Sequence, residues 1–116
     1  MNKKQKQWIG DAVFTLLVRE YLAQRYPAQP NTFDHSRTTD KYNKMCCNNT
    51  MGKLAVEFGV LQQHQLRDLL KDGGDEFEEY VYELYSQNGL AWMEAWFIFE
   101  VMPAMEKIKG KKYFEK

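Results

Sequence analysis

No run of apolar residues in this 116-residue chain is long enough to cross a bilayer, so a membrane-spanning protein is not expected. The opening residues, MNKKQKQ, are polar and have no apolar centre of the kind a secretory signal needs. Cysteine is scarce. Cys46 and Cys47 are the two thiols, and adjacent cysteines suit neither an ordinary structural disulfide nor a CxxC site. They read as small, mostly buried thiols in a reducing, cytoplasmic setting. Histidine is just as scarce: His35 and His64 stand far apart in polar surroundings and read as solvent-exposed. That leaves little material for a histidine metal site or a catalytic triad. A Walker-type phosphate loop and an HExxH pair are both missing. Formal net charge is zero, so no global basic field points to nucleic acid, although a local stripe of lysines would suffice.

The apolar fraction of 44% and the aromatic fraction of 15% are ample for a packed interior. The length fits one domain over residues 1–116. From about Lys6 to Arg25, Trp8, Val13, Leu16, Leu17 and Tyr21 recur at helical spacing, and Pro27 and Pro30 end the pattern. Thr32, Asp34 and Ser36 are candidate caps for a second helix running to about Cys47. A third helix follows, capped by Asn48 or Asn49, lined by Met51, Leu54, Ala55 and Phe58, and closed by Gly59 at the C′ position. A short helix before Gly73–Gly74 and another over residues 75–88, closed by Gly89, come next. The very apolar LAWMEAWFIFEVM is predicted to bend or end near Pro103. Residues from about 107 to 116 form a basic tail, predicted to be partly mobile. With no convincing strand, the expectation is an all-α bundle of five to six helices, with 6–25 and 90–102 central.

Carboxylates are the remaining chemistry, and two places stand out. Asp11 follows Gly10 beside the apolar stripe of the first helix, where a glycine and an acid are both out of place. Asp75 and Glu78, three residues apart, share one helix face. Acids gathered in this way repel and raise one another's pKa unless they hold a divalent cation. Hard oxygen ligands suit Mg²⁺, which orients phosphate groups. The reaction favoured is phosphodiester hydrolysis by an activated water. The other reading is structural: Asp75 and Glu78 also form a capping box, and Asp11 could cap a helix that begins after Gly10. Spacing alone leaves both open.

WIGDAVFTLLVREYL resembles the signature of the ribonuclease III family, a glycine–aspartate pair inside a helix followed by Ala–Val, and is closest to the small Mini-III type. NNTMGKLAVEFGV and DEFEEYVYELYSQNGL are similar to two further stretches of that family, in the same order. The resemblance implies an all-α endonuclease domain, a homodimer with a valley for double-stranded RNA, and Mg²⁺-dependent cleavage, with Mn²⁺ as a possible substitute. It assigns catalysis and metal binding to Asp11, Glu78 and Asp75. Structured RNA, above all precursor ribosomal RNA, is the implied substrate. Trp8 matches a position that packs across the dimer interface, although a plain core tryptophan suits the same pattern. Two departures stand out. Gln7 occupies a position where longer members carry a glutamate, and would position water without supplying charge. Tyr82 replaces a family glycine, so helix packing there must differ. No separate duplex-binding domain is expected within these 116 residues, so duplex affinity is expected to rest on the dimer surface. Basic residues for phosphate contacts are scattered: Lys3, Lys4, Lys6, Arg37, Lys41, Lys44, Lys107 and Lys109, with Lys111 and Lys112 the candidates for RNA binding. Two rival readings remain: a non-catalytic RNA-binding or ribonucleoprotein structural protein of the same fold, and a helical interaction module in which both acidic motifs are caps.

Overall fold

Asn2 and Gln5 decide where the first helix begins. The Gln5 N–H donates to Asn2 Oδ1 at 2.9 Å and the Asn2 N–H donates to Gln5 Oε1 at 2.8 Å. This reciprocal cap satisfies two helix-start donors and opens α1 (Lys3–Arg25) three residues earlier than the apolar spacing predicts. The computed structural model describes residues 1–25, 35–62 and 73–114. The candidate caps Thr32 and Asp34, the short helix expected before Gly73, and His64 fall outside that set. The side chain of His35 also falls outside it.

Next come α2 (His35–Cys46) and α3 (Asn48–Glu57). Ser36 lies inside α2 rather than capping it. Asn48 and Asn49 are not the cap of α3 either. Cys47 takes that position in extended backbone, with no side-chain cap bond, and Asn48 is already helical. At the other end the predicted glycine holds. Gly59 has φ 74, its N–H donates to the Val56 carbonyl, and the Val60 N–H donates to the Ala55 carbonyl at 2.7 Å, the pairing of a Schellman motif.

The longest element, α4 (Gly73–Trp96), breaks at Gly89, where φ is 80, as the second predicted glycine stop requires. Its first arm, 73–88, lies against both α1 and α3. The second arm runs into a π-helical turn, Phe97–Val101, then into α5 (Met102–Lys109). Pro103 therefore does not end the helical run. The widened turn, in which the Met102 N–H reaches the Phe97 carbonyl, places the proline in the first turn of α5, where its missing N–H is not needed.

The described residues contain helices and no strand, so the fold is all-α. The core joins Phe14, Leu17, Val18 and Leu22 of α1 to Met45, Met51, Leu54, Phe77 and Val81, and closes over Met93, Phe97, Val101 and Met105. Segment 90–102 is less central than its composition predicts, because Leu90, Trp92, Ile98 and Phe99 are exposed. The tail is better held than expected. Phe114 is 2% exposed on a 3₁₀ turn, Lys111–Phe114. Arg25 donates twice to its carbonyl, at 2.8 and 3.1 Å, and Lys41 Nζ donates to the Tyr113 carbonyl and lies over that ring.

Candidate active site at the crossing of two helices

Gly10 sits in the third turn of α1, so Asp11 is mid-helix and caps nothing. The reason for the glycine lies across the bundle. A β-carbon at Gly10 would overlap the carbonyl oxygen of Glu78 and stand 2.7 Å from its carbonyl carbon and 3.2 Å from the Tyr82 nitrogen. Backbone meets backbone here, so no side-chain adjustment could make room. The small residue that permits the crossing is thus on α1, and Tyr82 of α4 meets it through its backbone nitrogen. Directly beneath, Phe14 and Phe77 meet edge to face, 5.2 Å between centroids, and pin the crossing from the core side.

The crossing brings Asp11 and Glu78 together. Glu78 is half-buried, and its carboxyl is pushed up to about 8, by burial first, then by the charges of Asp11 and Asp75 and a hydrogen bond with Asp11. Asp75 lies two residues inside α4, in its first turn, so the capping-box register anticipated for Asp75 and Glu78 is not formed. Asp11 and Asp75 are exposed to solvent. Gln7, half-buried, stands one turn before Asp11 on the same helix.

The acids around the crossing fall into two sets. Glu76 and Glu79 bind Lys3, at 2.6 and 3.6 Å, and Glu83 binds Lys6 at 3.0 Å. Asp11, Asp75 and Glu78 make no salt bridge among the described residues. Lysines placed to hold the helix pair neutralise one set and, among the described residues, leave the other three carboxylates without a cation. Among the described residues, no group of three His, Cys, Asp or Glu side chains is drawn together tightly enough to hold a metal by itself. What is assembled is a pair, Asp11 and Glu78, with Asp75 contributing its charge. Mg²⁺ commonly takes one or two carboxylates and completes its shell with waters and substrate phosphates. The donor set fits that ion.

Cys46 was not anticipated here. Half-buried at the end of α2, its thiol is pushed up to about 12 by burial first and then by the charge of Asp11, with a smaller contribution from Glu78. It is held as an inert thiol beside the acids. Cys47 is exposed, contrary to expectation. No spacing in the sequence linked either cysteine to Asp11.

Trp8, one turn before Ala12, is 78% exposed, which rules out the core tryptophan. Beside it lies an apolar recess of about 350 Å³ lined by Ile9, Ala12, Val13, Leu16, Tyr85 and Leu90 as well as Trp8. Of the basic residues expected to be available, Lys3, Lys6, Lys44 and Lys107 are in salt bridges and Lys41 holds the tail. Lys111 and Lys112 are exposed on the anchored turn.

A family model described as Ribonuclease III domain matches residues 5–90. The chain belongs to the ribonuclease III family. The matched span begins within α1 and takes in Asp11, Asp75 and Glu78, and it ends where α4 breaks. Ribonuclease III domains act on double-stranded RNA as endonucleases and generally use divalent metal ions. No curated protein and no solved structure matches the chain. No described helix is long and apolar enough to cross a membrane.

Proposed function

We propose that this chain is a Mg²⁺-dependent, homodimeric endoribonuclease of the Mini-III type that cleaves double-stranded or structured RNA, precursor ribosomal RNA being the substrate class the family resemblance favours. The observation that carries the reading is selective neutralisation at the α1–α4 crossing: Lys3 and Lys6 bind Glu76, Glu79 and Glu83, while Asp11 and Glu78 face each other with no salt bridge among the described residues. Two carboxyls held together by a backbone contact oppose folding unless a proton or a cation lies between them.

Asp11 and Glu78 would hold the ion, with Asp75 as a third ligand or as an acid acting through its waters. When bound, Mg²⁺ supplies Lewis-acid polarisation of the phosphate and lowers the pKa of water. The protein's own part is positioning. The Gly10 crossing sets the separation of the two ligands, and Gln7 offers a neutral amide that can orient a water without adding charge. Glu78 must release its proton to bind the ion, so occupancy is expected to rise with pH toward about 8. The cytoplasm is the compartment this reading implies, and residues 1–116 act as one domain.

The homodimer rests on Trp8. A tryptophan 78% exposed beside an apolar recess suits burial against a second copy. Lys111 and Lys112, on a turn anchored by Arg25 and Lys41, would contact phosphates.

The test is cleavage of a long RNA duplex with and without Mg²⁺, beside Asp11→Asn and Glu78→Gln. Each variant is expected to lose about a thousandfold or more in rate. Duplex binding without cleavage at any metal concentration would instead favour the non-catalytic ribonucleoprotein reading.

A further inference from the structure

The acid-bearing arm of α4 is gripped at two points, and only one of them is the Gly10 crossing. The other is its first turn. A β-carbon on Gly73 would stand 2.9 Å from the Cα of Gly52 on α3. On Gly74 it would stand 2.5 Å from Oδ1 and 3.2 Å from Cγ of Asn48, with the Met51 methyl also at 3.2 Å. Both glycines are buried, whereas Asn48 is exposed. Asp75 is the next residue, and Glu78 lies one turn further on. The two acids therefore sit between a stop made by α3 and a stop made by α1.

We infer that Asn48 is a positioning residue for the metal site: its carboxamide, seated against Gly74, fixes the first turn of α4 and so sets where Asp75 and Glu78 stand relative to Asp11. The inference rests on the nuclease reading above. Its physical basis is that ligand placement tolerates little slack. Residues that orient metal ligands from outside the first shell change affinity strongly although they touch no ion. Gly52 and Gly73 already meet without side chains, so that contact can only be spoiled. The Asn48–Gly74 contact is adjustable from both sides. It is the place where size can be traded.

Three variants use that trade: Asn48→Ala opens a gap, Gly74→Ala displaces the carboxamide, and the double variant restores the filling. The primary readout is Mn²⁺ binding by calorimetry on the full chain without RNA, and thermal unfolding is recorded in EDTA. Each single variant is expected to weaken Mn²⁺ binding by about tenfold, and the double variant to return to within about threefold of the parent. In cleavage assays the Mn²⁺ concentration for half-maximal rate should move with the affinity, and the rate at saturating Mn²⁺ should stay near that of the parent. Asn48 is on the surface, so Asn48→Ala is expected to leave Tm unchanged. It keeps the test decisive if Gly74→Ala does not fold. Wild-type Mn²⁺ affinity in Asn48→Ala, or a double variant no better than Gly74→Ala, overturns the inference. A parent protein that binds no Mn²⁺ overturns the nuclease reading, and this inference with it. The two failures therefore show in different samples.

Discussion

The two arms of α4 follow opposite rules although they are parts of one helical run. Before Gly89 the helix is held by close contacts. Gly10 lets α1 touch the Glu78 backbone, Gly73 and Gly74 let α3 seat on the first turn, and Lys3 and Lys6 bind three of the glutamates. Beyond Gly89 the run still fills the core with Met93, Trp96, Phe97 and Val101, but it turns Leu90, Trp92, Ile98 and Phe99 outward, Phe99 at 74% exposure. Leu90 joins Trp8 on the apolar recess beside α1. One arm uses its small residues for geometry and, among the described residues, leaves Asp75 and Glu78 without a salt bridge beside Asp11 of α1. The other leaves greasy surface uncovered. In a nuclease that works as a pair, the first arm is where an ion would be held and the second borders where a partner would sit.

The sharpest way to break this contrast is to put one methyl group on α1. Gly10→Ala drives a β-carbon into the Glu78 carbonyl, which cannot swing aside as a side chain would. We expect a loss of about 3 kcal/mol in urea unfolding. Gly59→Ala is the control. Nothing lies within 4 Å of its added carbon, so the cost there is left-handed backbone strain at φ 74, about 1 kcal/mol. A loss at Gly10 no larger than at Gly59 would show that the crossing relaxes around the added carbon and does not dictate the glycine.

Trp8→Glu probes the other surface. Being largely exposed, Trp8 contributes little to the fold of one chain, so helix content by circular dichroism should be kept. If it anchors the dimer, sedimentation should show self-association weakened by about 2 kcal/mol or more, roughly thirtyfold in Kd. An unchanged dimer constant would move the interface elsewhere, the outward face of Ile98 and Phe99 being the next place to test.

Part of this contrast was legible in the sequence. Gly59 and Gly89 announced themselves as helix stops, and both have positive φ. Asp11 stood out because acids rarely interrupt an apolar stripe, and Asp75 and Glu78 because their spacing puts them on one helix face. Whether Asp11 was a cap or mid-helix was settled nine residues upstream, by Asn2 and Gln5, a short polar pair that apolar periodicity ignores. Trp8 shows a different limit. Spacing tells which residues share a face, not whether that face meets the chain's own core or another surface. The partner of Gly10 was out of reach for a third reason: it is a backbone carbonyl 68 positions away, and backbone atoms leave no trace in residue type. The π-turn before Pro103 was equally hidden, since the proline announces a disruption but not how the preceding turn absorbs it.

A smaller effect follows from the cost of the uncompensated acids. In the folded chain Glu78 holds its proton up to about 8, whereas an unfolded glutamate releases it near 4.5. Between those values the folded state binds the extra proton, so this group makes stability fall as pH rises from about 4.5 to about 8. Glu78→Gln cannot titrate. In EDTA its Tm should exceed the parent's by an increment that grows from pH 5 to pH 8, by a few degrees at the upper end. Asp11→Asn removes one cause of the shift and leaves burial, so it should give part of that increment. Parallel curves for parent and Glu78→Gln would mean that the acids are not coupled in solution. A gain in stability at the cost of activity is what a functional cluster predicts and a helix cap does not.

The smallest expected effect distinguishes lysines that hold the fold from lysines that remain available. Lys3 and Lys6 are bound to glutamates of α4, and their charge is cancelled locally before any phosphate arrives. Lys111 and Lys112 are exposed on a turn that Arg25 and Lys41 fasten through backbone carbonyls, leaving the two ammonium groups without a carboxylate among the described residues. Each phosphate that a lysine no longer neutralises should lower the slope of log affinity against log salt by about one unit. Replacing Lys111 and Lys112 with alanine in the Asp11→Asn background, where duplex can be bound without being cut, should therefore flatten that slope by about two. Lys6→Ala should leave it unchanged. A slope insensitive to the first pair and sensitive to Lys6 would reverse the assignment, and would place the RNA over the start of α1 instead of over the anchored turn.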